Sequence, residues 1–198
     1  MLELAPGPDG ALRCSWGVSA EEYLSYHDNE WGFPVDEEAR LFEKLCLEGF
    51  QSGLSWITVL RKRPAFREVF AGFDIEKVAL MGPGDVERLL GDPRIIRHRG
   101  KIEATINNAQ RALEIIDDEG SLASFVWRFE PAHRDPGRST SPESVAMSRE
   151  LKRRGFRFVG PTTAYAFMQA MGLVNDHLDG CISHPAVEEA RALFSRPA

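Results

Sequence analysis

Residues 26–31 read Tyr26-His27-Asp28-Asn29-Glu30-Trp31: two aromatic rings, an imidazole able to bind metal, two carboxylates and an amide in six positions. Neither a core strand nor a surface helix selects that mixture for packing. A second dense stretch follows at Glu48-Gly49-Phe50-Gln51-Ser52-Gly53-Leu54-Ser55-Trp56. Aromatic faces beside a carboxylate suit a flat, positively charged ligand. The expectation is therefore a pocket walled by rings, with an anionic side chain to hold something flat and positive.

A second chemistry is divided between the chain ends. Cys14 and His27 lie near the start, and His177 and Cys181 lie near the end at His-x3-Cys spacing. Two thiolates and two imidazoles would close a tetrahedral zinc shell with no open position, a structural site unable to activate water. Spacing alone does not establish it. A surface thiol, a surface imidazole and a small buried Cys181 are the simpler account of the same residues. Cys46 reads as a buried helix position and not as a ligand.

These residues need elements to position them, and the pattern is mostly helical. Apolar residues at Leu41, Leu45, Leu54, Ile57 and Leu60 keep broadly helical spacing from Glu37 to Arg61, with a break at Gly49–Gly53 and a stop at Pro64. Asp74 caps a short helix to Leu80, and Gly84-Asp85 opens another to Leu90. Lys101 to Ile116 carries one apolar face. Residues 130–142 read as an exposed loop. Ser141 caps a helix that has Pro142 at its first position and runs to about Arg154, and Thr162 to Met171 is the next helix. The pattern contains no convincing strand pair and no internal repeat. Between the last two helices lies Gly155-Phe156-Arg157-Phe158-Val159-Gly160-Pro161. It is either an ordinary connector or a clamp for a DNA phosphate at the following helix N-terminus.

The 198 residues suit one domain, with a formal net charge of −6. That average argues weakly against a polyanionic partner, but two local runs are basic. Arg94, Arg97, Arg99 and Lys101 occur without an acid between them, and residues 149–157 hold Arg149, Lys152, Arg153, Arg154 and Arg157 against Glu150. No apolar run is long enough to span a membrane, and the first residues lack a signal-peptide pattern. A cytoplasmic protein is expected.

Five ordered blocks sharpen the reading: residues 26–32, residues 46–60, residues 95–102, residues 152–160 and residues 172–177. Over about residues 14–182 the sequence resembles the bacterial 3-methyladenine DNA glycosylase I family, constitutive alkylation-repair enzymes. The resemblance implies an all-α helix-hairpin-helix glycosylase fold, with a zinc-stapled lobe joining the N- and C-terminal segments. It implies a 1–13 N-terminal extension, a single two-lobed domain over 14–184 (zinc lobe at about 14–36 and 172–184), and a 185–198 C-terminal tail.

By the same resemblance, one structural zinc ion is held by Cys14, His27, His177 and Cys181. The flipped base is held by Glu48, Tyr26 and Trp56, with Tyr23, Trp16 and Trp31 nearby. Trp16 and Trp31 could equally pack the zinc lobe, and Tyr23 could be core or rim. Glu48 is assigned first to recognition and second to catalysis, and Asp176 is either catalytic or structural. Gly53 and Leu54 enter the DNA gap, and Arg97, Arg99, Lys101, Lys152, Gly155 and Gly160 contact the backbone. The implied protein is a monomer acting on double-stranded alkylated DNA, hydrolysing the N-glycosidic bond without a Schiff base and releasing 3-methyladenine. Two departures from the family pattern are Ser52 in place of Ala and Pro161 directly after the clamp glycine, which removes one N–H donor.

Overall fold

A computed structural model describes residues 3–134 and 137–197; part of the expected 130–142 loop and the extreme termini lie outside these. Among the described residues ten α-helices dominate: α1 (Glu21–Asn29), α2 (Glu38–Gln51), α3 (Trp56–Val69), α4 (Ile75–Ala79), α5 (Pro83–Gly91), α6 (Arg99–Glu119), α7 (Leu122–Trp127), α8 (Pro142–Arg153), α9 (Pro161–Ala170) and α10 (Ser183–Leu193). Among the described residues no helix is long and apolar enough to cross a membrane.

α2 is the axis of the molecule. Every residue from Leu41 to Phe50 is buried, and α3, α6, α7 and α9 pack around it. A helix buried all round must be apolar or must partner its charges internally. Phe42 and Phe50 join Phe66, Phe70 and Phe73 in an aromatic cluster, while the ionisable side chains Glu43, Lys44 and Glu48 are also buried.

Local signals set several boundaries. Asp74 accepts a hydrogen bond from the Lys77 amide at 3.1 Å, and Ser141 Oγ accepts one from the Ser144 amide at 3.1 Å, so both expected caps form. Pro64 does not stop its helix and lies inside α3. Its missing N–H leaves the Leu60 carbonyl without an i+4 donor. Burial of Val59, Leu60, Phe66 and Val69 against the core outweighs that loss.

The expectation of no strand pair needs correction. Leu4–Pro6 (β1) pairs antiparallel with Leu12–Cys14 (β2), with Leu4 opposite Cys14. The hairpin is fastened to the opposite chain end, where the Ile182 amide donates to Leu12 O at 2.8 Å. At that end α10 buries Val187, and Asn175 Nδ2 donates to Glu188 Oε1 at 2.7 Å. Residues 4–14 and 183–193 are thus ordered elements packed where the two ends meet.

Candidate functional site

β2 delivers Cys14, α1 delivers His27, and the segment between α9 and α10 delivers His177 and Cys181. The four ligand atoms lie within 4.8 Å of one another, and all four residues are buried. Cys181 Sγ is 3.5 Å from His177 Nδ1 and 3.6 Å from His27 Nε2. A tetrahedral ion with S and N bonds of about 2.3 and 2.0–2.1 Å needs edges of roughly 3.5 Å. Each ring is oriented by its outer nitrogen: His27 Nδ1 lies 2.8 Å from Asp28 Oδ1, and His177 Nε2 lies 3.0 Å from Trp31 O.

The sulfurs also favour a cation between them. Cys14 and both imidazoles hydrogen-bond the Cys181 sulfur and hold it far below the usual thiol range, and that neighbour together with burial pushes Cys14 far above it. Two such sulfurs ionise together only around positive charge. The cluster therefore fits a metal ion. Gly17 makes room for it, since a Cβ there would stand 2.5 Å from His27 Cδ2.

Beside the cluster opens a cavity of about 440 Å³. All six residues expected around a base line it: Trp16, Tyr23, Tyr26, Trp31, Glu48 and Trp56. Trp16 and Trp31 serve both neighbourhoods. They cross edge-to-face at 5.0 Å, and Trp16 also meets His27 at 5.0 Å while Trp31 meets His177 at 4.7 Å. Tyr26 and Trp56 have centroids 5.5 Å apart at 44°. Tyr26 is buried, and burial followed by the nearby Glu48 and Glu30 charges keeps its hydroxyl protonated well above the ordinary range.

Glu48 is 5% exposed, which fits neither a solvated surface acid nor an unpaired one. Its partner is Lys44, one helical turn earlier, with Nζ 2.7 Å from Oε1. Asp176 reaches the same cavity. Tyr165 Oη and Gln169 Nε2 donate to its Oδ2 at 2.7 and 2.8 Å, while buried Oδ1 has no hydrogen-bond partner among the described residues.

The loop between α2 and α3 carries Gly53 in a left-handed conformation (φ 79°) and leaves Leu54 43% exposed. Its anchor is Lys101, which was expected at a phosphate. Lys101 is instead 7% exposed, and Nζ donates to Phe50 O at 2.8 Å and Ser52 O at 2.6 Å. An ammonium there satisfies carbonyls at the α2 C-terminus, where a helix favours positive charge.

The other expected backbone contacts divide. Arg99 is exposed but paired with Glu87 at 2.8 Å. Arg97 and Lys152 are exposed and, among the described residues, without an ion-pair partner. Arg153 and Arg154 are tied to Glu150, so part of the second basic run is neutralised internally. Gly155 (φ 86°) turns the chain after α8, and Gly160 precedes α9. Asn107 Nδ2 donates to Gly155 O at 2.9 Å, and Asn108 Nδ2 donates to Arg157 O at 3.0 Å, so α6 holds the turn.

The sequence model of the methyladenine glycosylase family matches residues 16–184. The chain belongs to that family. It is 48% identical over 181 residues to the DNA-3-methyladenine glycosylase 1 of Escherichia coli (strain K12), spanning 87% of this chain and 97% of that protein. A crystal structure of a 3-methyladenine DNA glycosylase I superposes with a TM-score of 0.83 at 49% identity, covering 87% of this chain and all (100%) of the other. The Staphylococcus aureus 3-methyladenine DNA glycosylase I, solved to explain 3-methyladenine recognition, gives a TM-score of 0.82 at 38% identity over 87% and 96% of the two chains.

Within this member of the methyladenine glycosylase family, sequence reasoning missed Lys44 and Gln169. The signal for Lys44 was present. A lysine four residues before Glu48, inside an apolar run, marks an internal i,i+4 pair.

Proposed function

We propose that the protein excises N3-methyladenine from alkylated double-stranded DNA by monofunctional hydrolysis of the N-glycosidic bond. The free base leaves and an abasic site remains. The observation that carries this reading is the cavity bounded by Tyr26, Trp56 and Glu48, which joins stacking faces to a buried carboxylate.

N3-methylation makes the base cationic and its glycosidic bond weak, because the base departs as a neutral molecule. The enzyme's task is then extraction, recognition and admission of water. Unstacking costs a few kcal/mol. Exposed Leu54, presented by Gly53 and braced through Lys101, enters the vacated gap and offsets part of it. Tyr26 and Trp56, whose tilted rings stand 5.5 Å apart and so leave no slot for a base between them, form one aromatic wall against which the base lies, and a desolvated cation gains about 2 kcal/mol from such faces. Glu48 accepts from the exocyclic amine and the ring edge. Because that contact also holds the ground state, Glu48 serves recognition before rate. Tyr23, Trp16 and Trp31 close the rim.

The α8–turn–α9 unit acts as the helix-hairpin-helix clamp, with Gly155 shaping the turn and the α9 N-terminus after Gly160 facing a phosphate. Arg97 and Lys152 supply charge beside it, and Arg99 joins them if DNA displaces its acidic partners. Cys14, His27, His177 and Cys181 would hold one zinc ion, which supplies a cross-link between the chain ends and no reactive position. The protein acts as a monomer in the bacterial cytoplasm. Lys44 is engaged by Glu48 and Tyr26 and does not line the cavity, so hydrolysis rather than Schiff-base chemistry is the expected course.

The test is incubation with methylated duplex DNA, reading released 3-methyladenine and alkali-labile sites. Release of the base together with matching abasic sites is expected. Salt-sensitive DNA binding without release would reduce the protein to a metal-stapled DNA-binding module.

A further inference from the structure

Lys44 is 6% exposed, and its ammonium meets three side chains that grip the base in the reading above. Nζ lies 2.7 Å from Glu48 Oε1, donates to Tyr26 Oη at 2.7 Å, and stands 3.3 Å from the Trp56 ring centroid. It reaches them from behind the cavity wall, in a recess shared with Glu30, Arg40, Glu43, Arg63 and Arg67. An ammonium and an N3-alkylated purine are both cations, drawn by the same carboxylate and the same ring. While Lys44 is charged, Glu48 is already neutralised and Trp56 already carries a cation on its face. A second positive charge then gains less from either.

We propose that Lys44 sets the charge selectivity of the cavity: its ammonium neutralises Glu48 while the cavity is empty or holds an uncharged purine, and it gives up a proton when a positively charged purine takes the Trp56 face and the Glu48 carboxylate. This rests on the base-cavity reading of the preceding subsection. The proton passes from Nζ by way of the Glu48 carboxylate to water, and no bond to carbon changes. Positive charge is exchanged rather than accumulated in a region of low dielectric.

Burial already holds Lys44 below the ordinary lysine range, against the pull of Glu48. The groups facing Nζ are Arg40, Glu43 and Glu48 from α2, Tyr26 from α1, Glu30 just after α1, and Arg63 and Arg67 from α3. Glu30 is fastened to Arg63 at 2.6 Å and Glu43 to Arg67 at 2.9 Å. Tyr26 stays protonated. The incoming base is therefore the charge that changes around Lys44.

The experiment compares two ligands of similar shape, neutral 3-methyladenine and the permanently charged 3,9-dimethyladeninium. Calorimetry in buffers of different protonation enthalpy, between about pH 7 and 9, counts protons released on binding. For the wild-type protein, affinity for the charged ligand should rise by up to about tenfold per pH unit with proton release, while affinity for the neutral one stays level. Lys44→Met should abolish both the slope and the release. Lys44→Arg keeps a charge that does not leave, and its charged-to-neutral affinity ratio should fall at least about tenfold at the upper pH. Wild-type binding of the cation without slope or release, or a Lys44→Arg protein that keeps both, overturns the inference. Failure of the wild type to bind even neutral 3-methyladenine overturns the cavity reading, and this inference with it.

Discussion

Asp28 Oδ1 accepts the Nδ1 proton of His27 at 2.8 Å, which turns His27 Nε2 toward the Cys181 sulfur 3.6 Å away. Arg13 fixes Asp28 in turn, with Nε and Nη2 reaching the carboxylate at 2.9 and 2.8 Å. A carboxylate behind an imidazole selects its tautomer and raises its basicity as a ligand. Asp28→Asn is expected to weaken metal binding by about 10–100-fold. Competition with a graded series of chelators measures the change. Affinity equal to wild type would leave Asp28 as a hairpin anchor only.

Cys181 belongs to the segment that closes the chain ends, so its loss should act on folding before it acts on the base. Cys181→Ser is expected to lower Tm markedly and to remove most of the effect of a chelator on Tm. A structural ion contributes folding free energy directly. Excision measured well below the variant's Tm should persist. A variant as stable as wild type but inactive would mean that the metal takes part in the chemistry.

Glu48→Ala should weaken binding of free 3-methyladenine by about 1.5–3 kcal/mol, the range for a lost charged hydrogen bond. The same change leaves the Lys44 ammonium buried without its partner, so a loss of thermal stability should accompany it. Titration calorimetry and a melting curve separate the two effects. Unaltered affinity would remove Glu48 from recognition.

The chemistry of this chain was more legible than its architecture. Tyr26, His27, Glu48 and Trp56 are residue types that helix packing does not request in such density; Tyr26, Glu48 and Trp56 line one cavity, and His27 lies in the Cys/His cluster beside it. Caps at Asp74 and Ser141 were legible because one side chain and one amide decide each. The hairpin of β1 and β2 was not, because strands of 3 residues leave no room for an alternating pattern, and their partner lies at the far end of the chain. Pro64 misled because local propensity yields to burial of Phe66 and Val69. Lys101 misled because a basic run suggests a solvated face, whereas a lysine stem can be buried and its ammonium can close a helix end.

That placement of Lys101 has its own consequence. Lys101→Met keeps the stem but removes the donor from the Phe50 and Ser52 carbonyls, at a cost of about 1–3 kcal/mol in stability. The loop with Leu54 loses its anchor, whereas Tyr26, Glu48 and Trp56 stay on their helices. Free-base affinity should hold while excision from duplex DNA falls. Equal losses in both assays would show that Lys101 supports the cavity rather than the wedge.

Glu30 gives a prediction in pH. It takes both ends of the Arg63 fork at 2.6 and 2.8 Å, beneath the ring of Tyr26. Burial alone would raise its carboxyl, but the Arg63 hydrogen bonds and charge hold it below the usual carboxylate range. A group lowered on folding is ionised in the native state at pH values where the unfolded chain has begun to bind the proton. Its stabilisation is therefore complete above the unfolded value of about 4.3, and it disappears as pH falls through the lower native value. Glu30→Gln should be less stable than wild type by about 1–3 kcal/mol at neutral pH, through the lost charged hydrogen bonds. Denaturant melts at stepped pH should show that gap constant from about pH 6 to 8 and closing below about pH 4. A gap that does not narrow in acid would mean that Glu30 acts through packing and not through its charge.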